Sequence, residues 1–524
     1  MDIANKAEKT PIYSQHNDIT GKKRIVSNVI VGWVAQLIFV ASGFILPRMI
    51  DNTIGKEALG IWDFAWSFIV YFELIYSGLV SSVNRYVAKH RANNDIDALN
   101  TAASSVFFLL LVLGCLVILC SAVSALMLPQ FMHARFGKYL VDAQWLVFLL
   151  GSNISVKMPL ALFGGVLTGC HRWDLQHSIT AASRLATMLG MIVVLKLGGG
   201  LKEIALVYTC LEILVLSSRS SLAFRICHGL RISPSLIRRS TAINMWKFGF
   251  KSMIPDIGDL LSNQTFSLLL VWFLGPSALA GYARPRSLVR HIQTFVVRYA
   301  FTLTPMASSL QAMNNNEEMR DMLVNACRAG AFIVFPMTAV LAIMGGPLLQ
   351  VWMGQNYADN ILPLALGLGY SPLLIQLPLH SILKGVNAHG KPGLFKFMAA
   401  VSGISTAFVA LDFFNSSILG ATVAVILPFW ISELIATPMF ASKRLKFSLP
   451  RYWLVGMLQP LLIMTPMILC LLYFRFTYST YPARALIGGV PLGLLSLAVS
   501  YWHFATTESF KKNSVNKLKS LFLH

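Results

Sequence analysis

Residues 26–47 read VSNVIVGWVAQLIFVASGFILP, a stretch with no formal charge that is long enough to cross the hydrocarbon core of a bilayer as a helix. Working outward, apolar runs of about 20 residues recur along the whole chain. Of 524 residues, 56% are hydrophobic and 12% charged, whereas a soluble domain carries about a quarter charged. The solvent for which this chain is written is lipid. Ahead of the first run the chain is polar through Gln15, His16 and Asn17, without the basic, apolar, small-residue order of a cleaved leader, so insertion is expected to begin with residues 26–47.

Spans are expected at about 26–47, 58–83, 100–127, 141–168, 176–198 and 202–222. After a basic connector they resume at about 252–274, 281–305, 325–345, 361–383, 394–413, 419–440, 453–473 and 484–504. The second, fourth, seventh and eighth contain charged residues and are the weak ones by hydropathy. The predicted class is therefore an all-α polytopic membrane protein of about 14 transmembrane helices. Its divisions are a tail (1–25), a six-helix bundle (26–222), a connector (223–251), a second bundle (252–440), two further helices (441–504) and a basic tail (505–524).

With an even number of spans, most of the 43 Lys and Arg fall on one side, from Lys22, Lys23 and Arg24 through Arg225, Arg231, Arg238 and Arg239 to Lys443, Arg444, Lys511 and Lys512. The positive-inside rule then puts both termini and the connector in the cytoplasm. Short basic loops facing an anionic lipid surface account for the net charge of +21, and no nucleic-acid partner is expected. The seven cysteines form no CxxC pair and read as small apolar residues, with no metal site. Cys227, among Arg225, Arg231 and Arg238, is expected to be open to reagents on the cytoplasmic side.

Two connections repeat. IGKEALGIW (Ile54 to Trp62) and LGPSALAGYA (Leu274 to Ala283) each place a Gly after an apolar helix, then Ala-Leu, then a second Gly opening the next helix. The seventh helix thus begins a second copy of the first six. An even copy inserts the same way up, and a cleft between the two bundles is the expected transport path.

The segment from Ser27, Asn28 and Trp33 through FILPRMIDNTIGKEALGIWDFAWSFIVYFELIYSGLVSSVNRYVAKHRANND resembles the polysaccharide flippases of the multidrug/oligosaccharidyl-lipid/polysaccharide exporter superfamily. LLQVWMGQNYADNILPLALGL (Leu348 to Leu368) and ILKGVNAHGKPG (Ile382 to Gly393) resemble them too. The resemblance implies a V-shaped pair of six-helix bundles, with two additional C-terminal helices as in several members. It also implies alternating access, a monomer in the bacterial inner membrane, and a cargo of undecaprenyl-diphosphate-linked oligosaccharide destined for cell-surface polysaccharide such as O-antigen or exopolysaccharide. Polymerase and chain-length proteins of that pathway are its implied partners.

An anionic headgroup on an apolar tail needs a cationic, water-filled path. The eighth span, GYARPRSLVRHIQTFVVRYAFTLTP, carries Arg284, Arg286, Arg290, His291 and Arg298; at 100° per residue, 284, 291, 298 and 302 share one stripe. Arg290 is near mid-depth and reads as a lumen cation. Arg298 lies about 24 Å below Tyr282 at 1.5 Å per residue, open to the lumen or to the inner interface. Arg284 is read with the stripe, and Arg286 as an outer-interface residue that snorkels. Lys157, in NISVKMPLALF, is either a lumen cation or an inner-interface residue.

Intramembrane acids are the counterparts. Glu73, in YFELIYSGL, and Asp256 and Asp259, at the start of the seventh span, either carry a coupling proton or pair with cations; pairing, or a place at the cytoplasmic interface, is expected of the two aspartates, and Glu73 is the better candidate for a titrating group. Glu212 and Glu433 lie in the sixth and twelfth spans. No GxSxG, nucleotide-binding loop, HExxH or Cys/His cluster occurs, so neither catalysis, a cofactor nor a nucleotide-driven pump is expected. A drug exporter of the same superfamily is the alternative. Several arginines in its path would repel a cationic drug.

Overall fold

The computed structural model describes residues 25–505. The expected tails, 1–25 and 505–524, lie outside the described residues but for Ile25 and Ala505, as do several side chains near 250–259. The expected spans fall on fourteen helical segments among the described residues. The first six are α1 (Ile25–Thr53), α2 (Lys56–Ala92), α3 (Ile96–Phe136), α4 (Leu140–Gly169), α5 (Trp173–Lys196) and α6 (Leu201–Ile226). Then α7 runs from Arg239–Leu260 through a π-helical turn, Leu261–Thr265, into Phe266–Leu274. α8 is Pro276–Phe301, prolonged after Thr302 by Leu303–Ala312. There follow α9 (Asn316–Met353), α10 (Ile361–Gly385, broken at Gln376), α11 (Gly390–Phe413), α12 (Ile418–Leu445), α13 (Leu449–Thr477) and α14 (Pro482–Phe504).

Nine stretches of the described residues are long and apolar enough to cross a membrane, and α2, bent by 43°, makes a tenth. One of the nine, Ile96–Gly169, folds back on itself as α3 and α4. The helices that fall short are α6, α7 and α8. α6 and α8 carry Glu212 and Arg219, and the arginines of 284–298. Of the expected weak spans, the fourth passes as part of that longer stretch and α6 joins the weak set.

Helix enters the expected basic connector, 223–251, from both ends: α6 continues to Ile226 and α7 starts at Arg239. What lies between is laid along a polar face of α3. Asn100 Nδ2 donates to the Gly229 carbonyl (2.9 Å) and its Oδ1 accepts from Arg231 N (2.8 Å). Ser104 Oγ accepts from Ser233 N (3.1 Å), and Ser105 Oγ from Arg238 N (3.0 Å). These side chains satisfy backbone groups that no helix would.

The chain divides into two compact units. The first comprises the described residues up to Leu260 with Gly275–Ser277, and the second Leu261–Leu274 with the chain from Ala278 onward. In the first, α4 packs against α2, α3 and α6. Small residues permit the approach, because lipid offers little apolar driving force between helices. A Cβ on Gly169 would stand 2.8 Å from Val87 on α2, and Ser155 Oγ of α4 donates to the Gly114 carbonyl of α3 at 2.8 Å. Both repeated turns use the conformational freedom of glycine. Gly55 and Gly275 have φ of +108° and +86°, and α2 and α8 start at the next residue. Within the first unit Gly60 touches the Pro276 backbone, where a Cβ would fall 1.9 Å from its carbonyl oxygen.

In the second unit α9 packs against α10, α13 and α14, and Ala339 and Met344 join Met464, Met467, Leu471 and Ala485 in one buried cluster. The two helices expected to lie outside the repeat are thereby part of this unit's core.

Candidate functional site

Each unit buries ionisable side chains of its own. In the first, Lys157 projects from α4, the helix with neighbours on three sides. Its Nζ lies 3.1 Å from Glu73 Oε1 on α2 and 3.4 Å from Glu212 Oε1 on α6. One turn before Glu212, Tyr208 is boxed by Trp66 and Trp62 of α2, with ring centroids 5.4 and 6.3 Å away in edge-on contact. Trp62, Trp66 and Glu73 recur at helical spacing, which is why α2 presents rings and carboxylate together. Two turns beyond Glu212, buried Arg219 donates from Nη2 to Thr180 Oγ1 on α5 (3.0 Å). The Arg184 guanidinium of α5 lies 5.2 Å over the Phe39 ring. Lys157 is thus held by two carboxylates at once, and Glu73 is placed as its partner.

In the second unit, α8 carries its cations in two environments. Arg284 is buried. Arg286, expected to snorkel at an interface, is only 6% exposed. Its Nη2 donates to Asn263 Oδ1 (2.5 Å) in the π-helical turn of α7, and its guanidinium lies 4.2 Å from the centre of the Tyr370 ring of α10. The interfacial reading of Arg286 is therefore corrected: a π turn that sequence periodicity does not reveal turns Asn263 toward it. Arg290 and Arg298 are exposed, and His291 beside Arg290 is half-buried. The structure thus separates a buried pair, Arg284 and Arg286, from an exposed pair, Arg290 and Arg298. The side chains of Asp256 and Asp259 lie outside the described residues.

Sequence reading missed a further cluster in this unit. His380 Nε2 on α10 lies 2.7 Å from Glu433 Oε2 on α12, and buried Tyr452 of α13 donates its hydroxyl to Gln376 Oε1 at 2.5 Å. An acid inside the twelfth span was the available signal; nothing in the sequence paired it with a residue 53 positions earlier. Cys227 is also corrected. It is buried rather than open, and contact with Cys170 together with burial pushes its thiol up, which makes it a poor target for thiol reagents. Among the described residues no cluster of His, Cys, Asp or Glu is placed to hold a metal.

Comparison with known proteins places this architecture. The lipid II flippase MurJ in an inward closed conformation superposes with a TM-score of 0.65 over 92% of this chain and 100% of its own, at 13% identity. An inward-facing multidrug resistance MATE family transporter of the MOP superfamily superposes with a TM-score of 0.63 over 80% of this chain and 98% of its own, also at 13% identity. At that identity the likeness is one of fold. In sequence, the uncharacterized membrane protein EpsK of Bacillus subtilis (strain 168) is 23% identical over 405 residues, 76% of this chain and 79% of EpsK. The family model described as "Polysaccharide biosynthesis protein" matches residues 55–362, from the first repeated turn through α9. That match takes in both Lys157 with its carboxylates and the whole cationic helix α8, and by it this multi-pass membrane protein belongs to the polysaccharide biosynthesis protein family.

Proposed function

We propose that the chain is a flippase that moves a polyprenyl-diphosphate-linked oligosaccharide, of the undecaprenyl type, from the cytoplasmic to the outer leaflet of the bacterial inner membrane. It does so as a secondary transporter by alternating access, driven by an ion gradient or the membrane potential, with both termini in the cytoplasm. The observation that carries the reading is an exposed pair of guanidiniums, Arg290 and Arg298, on α8 of a chain in a polysaccharide biosynthesis family. A guanidinium offers paired donors to phosphate oxygens, each such charge-assisted contact contributing about 1.5 to 3 kcal/mol. Half-buried His291 continues the stripe, and Arg284 is its buried end. Lys157 serves in this reading as the centre of an ion-paired lock rather than as a free cation, with Glu73 as its pairing partner.

A membrane potential is worth about 2.3 kcal/mol per charge per 100 mV, and with the inside negative it favours outward movement of an anionic headgroup, so it supplies the driving force without a nucleotide. The test is a strain lacking the gene. Accumulation of a lipid-linked saccharide without new sensitivity to cationic dyes is expected. Dye sensitivity with a normal saccharide pool would favour the drug-exporter alternative and overturn the proposal.

A further inference from the structure

Glu433 is a carboxylate with 1% of its surface exposed, and three helices are irregular where they surround it. α12 winds as a π-helix through Ile431–Ala436, α13 does the same through Tyr452–Leu458, and α10 breaks at Gln376. Single π turns concentrate at functional positions because they re-aim a side chain at the cost of helical regularity. Here they turn polar groups inward. His380 Nε2 meets Glu433 Oε2, Ser432 Oγ lies 3.3 Å from Glu433 Oε1, and the Tyr452 hydroxyl is the neighbouring titratable group from α13, with the Cys327 thiol of α9 behind it. His380 is a quarter exposed at its side chain, which gives the buried carboxylate one route outward.

Three of the charges on the packed elements are engaged elsewhere. Arg451 of α13 pairs with Asp321 of α9 at 3.1 Å, Arg320 donates to the Leu445 carbonyl, and Lys391 of α11 lies over Phe440. Lys384, one turn beyond His380, is exposed, and Lys396 of α11 is half-buried. The helix Leu303–Ala312, packed on the second half of α10, carries no titratable side chain.

We propose that His380 and Glu433 form a proton-binding site, and that a proton exchanged there is the ion coupled to movement of the second unit. Loaded, the pair shares one proton and is neutral, as imidazolium with carboxylate or imidazole with carboxylic acid. Unloaded, it is neutral imidazole beside a bare carboxylate, with a net charge of −1 in an apolar interior. A buried unpaired charge is strongly disfavoured, so loss of the proton favours any rearrangement that brings Glu433 to water. The π turn that holds Glu433 is the element such a change would rewind. Histidine is suited to the exchange because its proton is labile in the physiological range.

The site stands on the geometry alone; its coupling role rests on the transport function proposed above. The first experiment needs no cargo. Protein labelled with 15N-histidine is placed in lipid nanodiscs and titrated by NMR, with the His380 signal identified by its loss in His380→Asn. The His380 signal is expected to respond to pH, and that response to change in Glu433→Gln, because the carboxylate that shares the proton is gone. Where Glu433→Gln does not fold, Glu433→Asp, whose shorter side chain draws the carboxylate away from His380, gives the same comparison. A His380 signal that is constant with pH, or that titrates identically in the Glu433 variant, overturns the site. The second experiment imposes a pH gradient on vesicles. Wild-type translocation should rise with the gradient and both variants should lose that dependence, whereas an intact dependence in them overturns the coupling role. A wild type that moves no saccharide at all while His380 titrates as expected would sink the flippase reading and leave the proton site standing.

Discussion

Lys157 Nζ on α4 lies 3.1 Å from Glu73 Oε1 on α2, and Glu212 on α6 takes the other side of the same ammonium at 3.4 Å, so one cation ties three helices of the first unit. Removing it leaves two carboxylates facing each other where solvent access is poor. Breaking a buried pair by deleting one partner costs about 3 to 5 kcal/mol. Lys157→Met should therefore lower the Tm of the purified protein by several degrees, and adding Glu73→Gln and Glu212→Gln should restore most of the loss. An unchanged Tm in the single variant would show that the triad holds nothing together.

The Gly60 contact is equally specific. An alanine Cβ there would meet the Pro276 carbonyl oxygen at 1.9 Å, so backbone must move. Gly60→Ala is expected to cost about 1 to 3 kcal/mol through overpacking. Gly393→Ala, at a helical position with open space around it, should be neutral or slightly stabilising. Equal melting temperatures for the two variants would contradict the packing described for the first repeated turn.

Asn100 holds the connector with both ends of its amide. Asn100→Ala should leave the Gly229 carbonyl and the Arg231 amide without those bonds, a loss of about 0.5 to 1.5 kcal/mol for each. Amide exchange over residues 229–233 should then accelerate by tenfold or more while exchange in α4 is unaltered. Protection at wild-type level would mean that α3 does not anchor this segment.

Arg290→Ala and Arg298→Ala should each reduce polymer export by tenfold or more at matched membrane abundance, with Arg→Lys retaining part of the activity because the charge persists and the fork geometry is lost. Arg286→Ala is no neutral control, since its guanidinium is bonded to Asn263 and stacked on Tyr370; it is expected to lower abundance. Arg484, exposed over the Tyr481 ring at the start of α14, is the better one, and Arg484→Ala should export normally. Normal export by stably inserted Arg290→Ala and Arg298→Ala would make those arginines structural.

Helix order was legible because lipid leaves a long apolar period that nothing else imitates, and the charge asymmetry supported α6 to α8 where hydropathy is weak. Glu73, Lys157, Arg290 and Arg298 were visible for a related reason: a charge inside an apolar run is conspicuous. Their partners were not. Glu73 and Lys157 are 84 residues apart, and only the packing of α2 on α4 brings them together. Arg286 was placed wrongly, and His380 was passed over, because their environments depend on helical irregularities at 261–265, 376 and 431–436, whereas periodicity arguments assume a uniform 3.6-residue turn. The basic composition of 223–251 marked a connector but did not show that α7 already starts at Arg239.

The most direct measurement of the central claim is translocation by the purified protein in sealed vesicles. A polyprenyl-diphosphate-linked oligosaccharide is incorporated in the membrane, a gradient is imposed, and the saccharide reaching the opposite leaflet is counted by cleavage with an added glycosidase. Gradient-dependent transfer is expected in the wild type, with a loss of tenfold or more in Arg290→Ala and Arg298→Ala. Transfer equal to that of protein-free vesicles, or equal in wild type and both variants, would contradict the account.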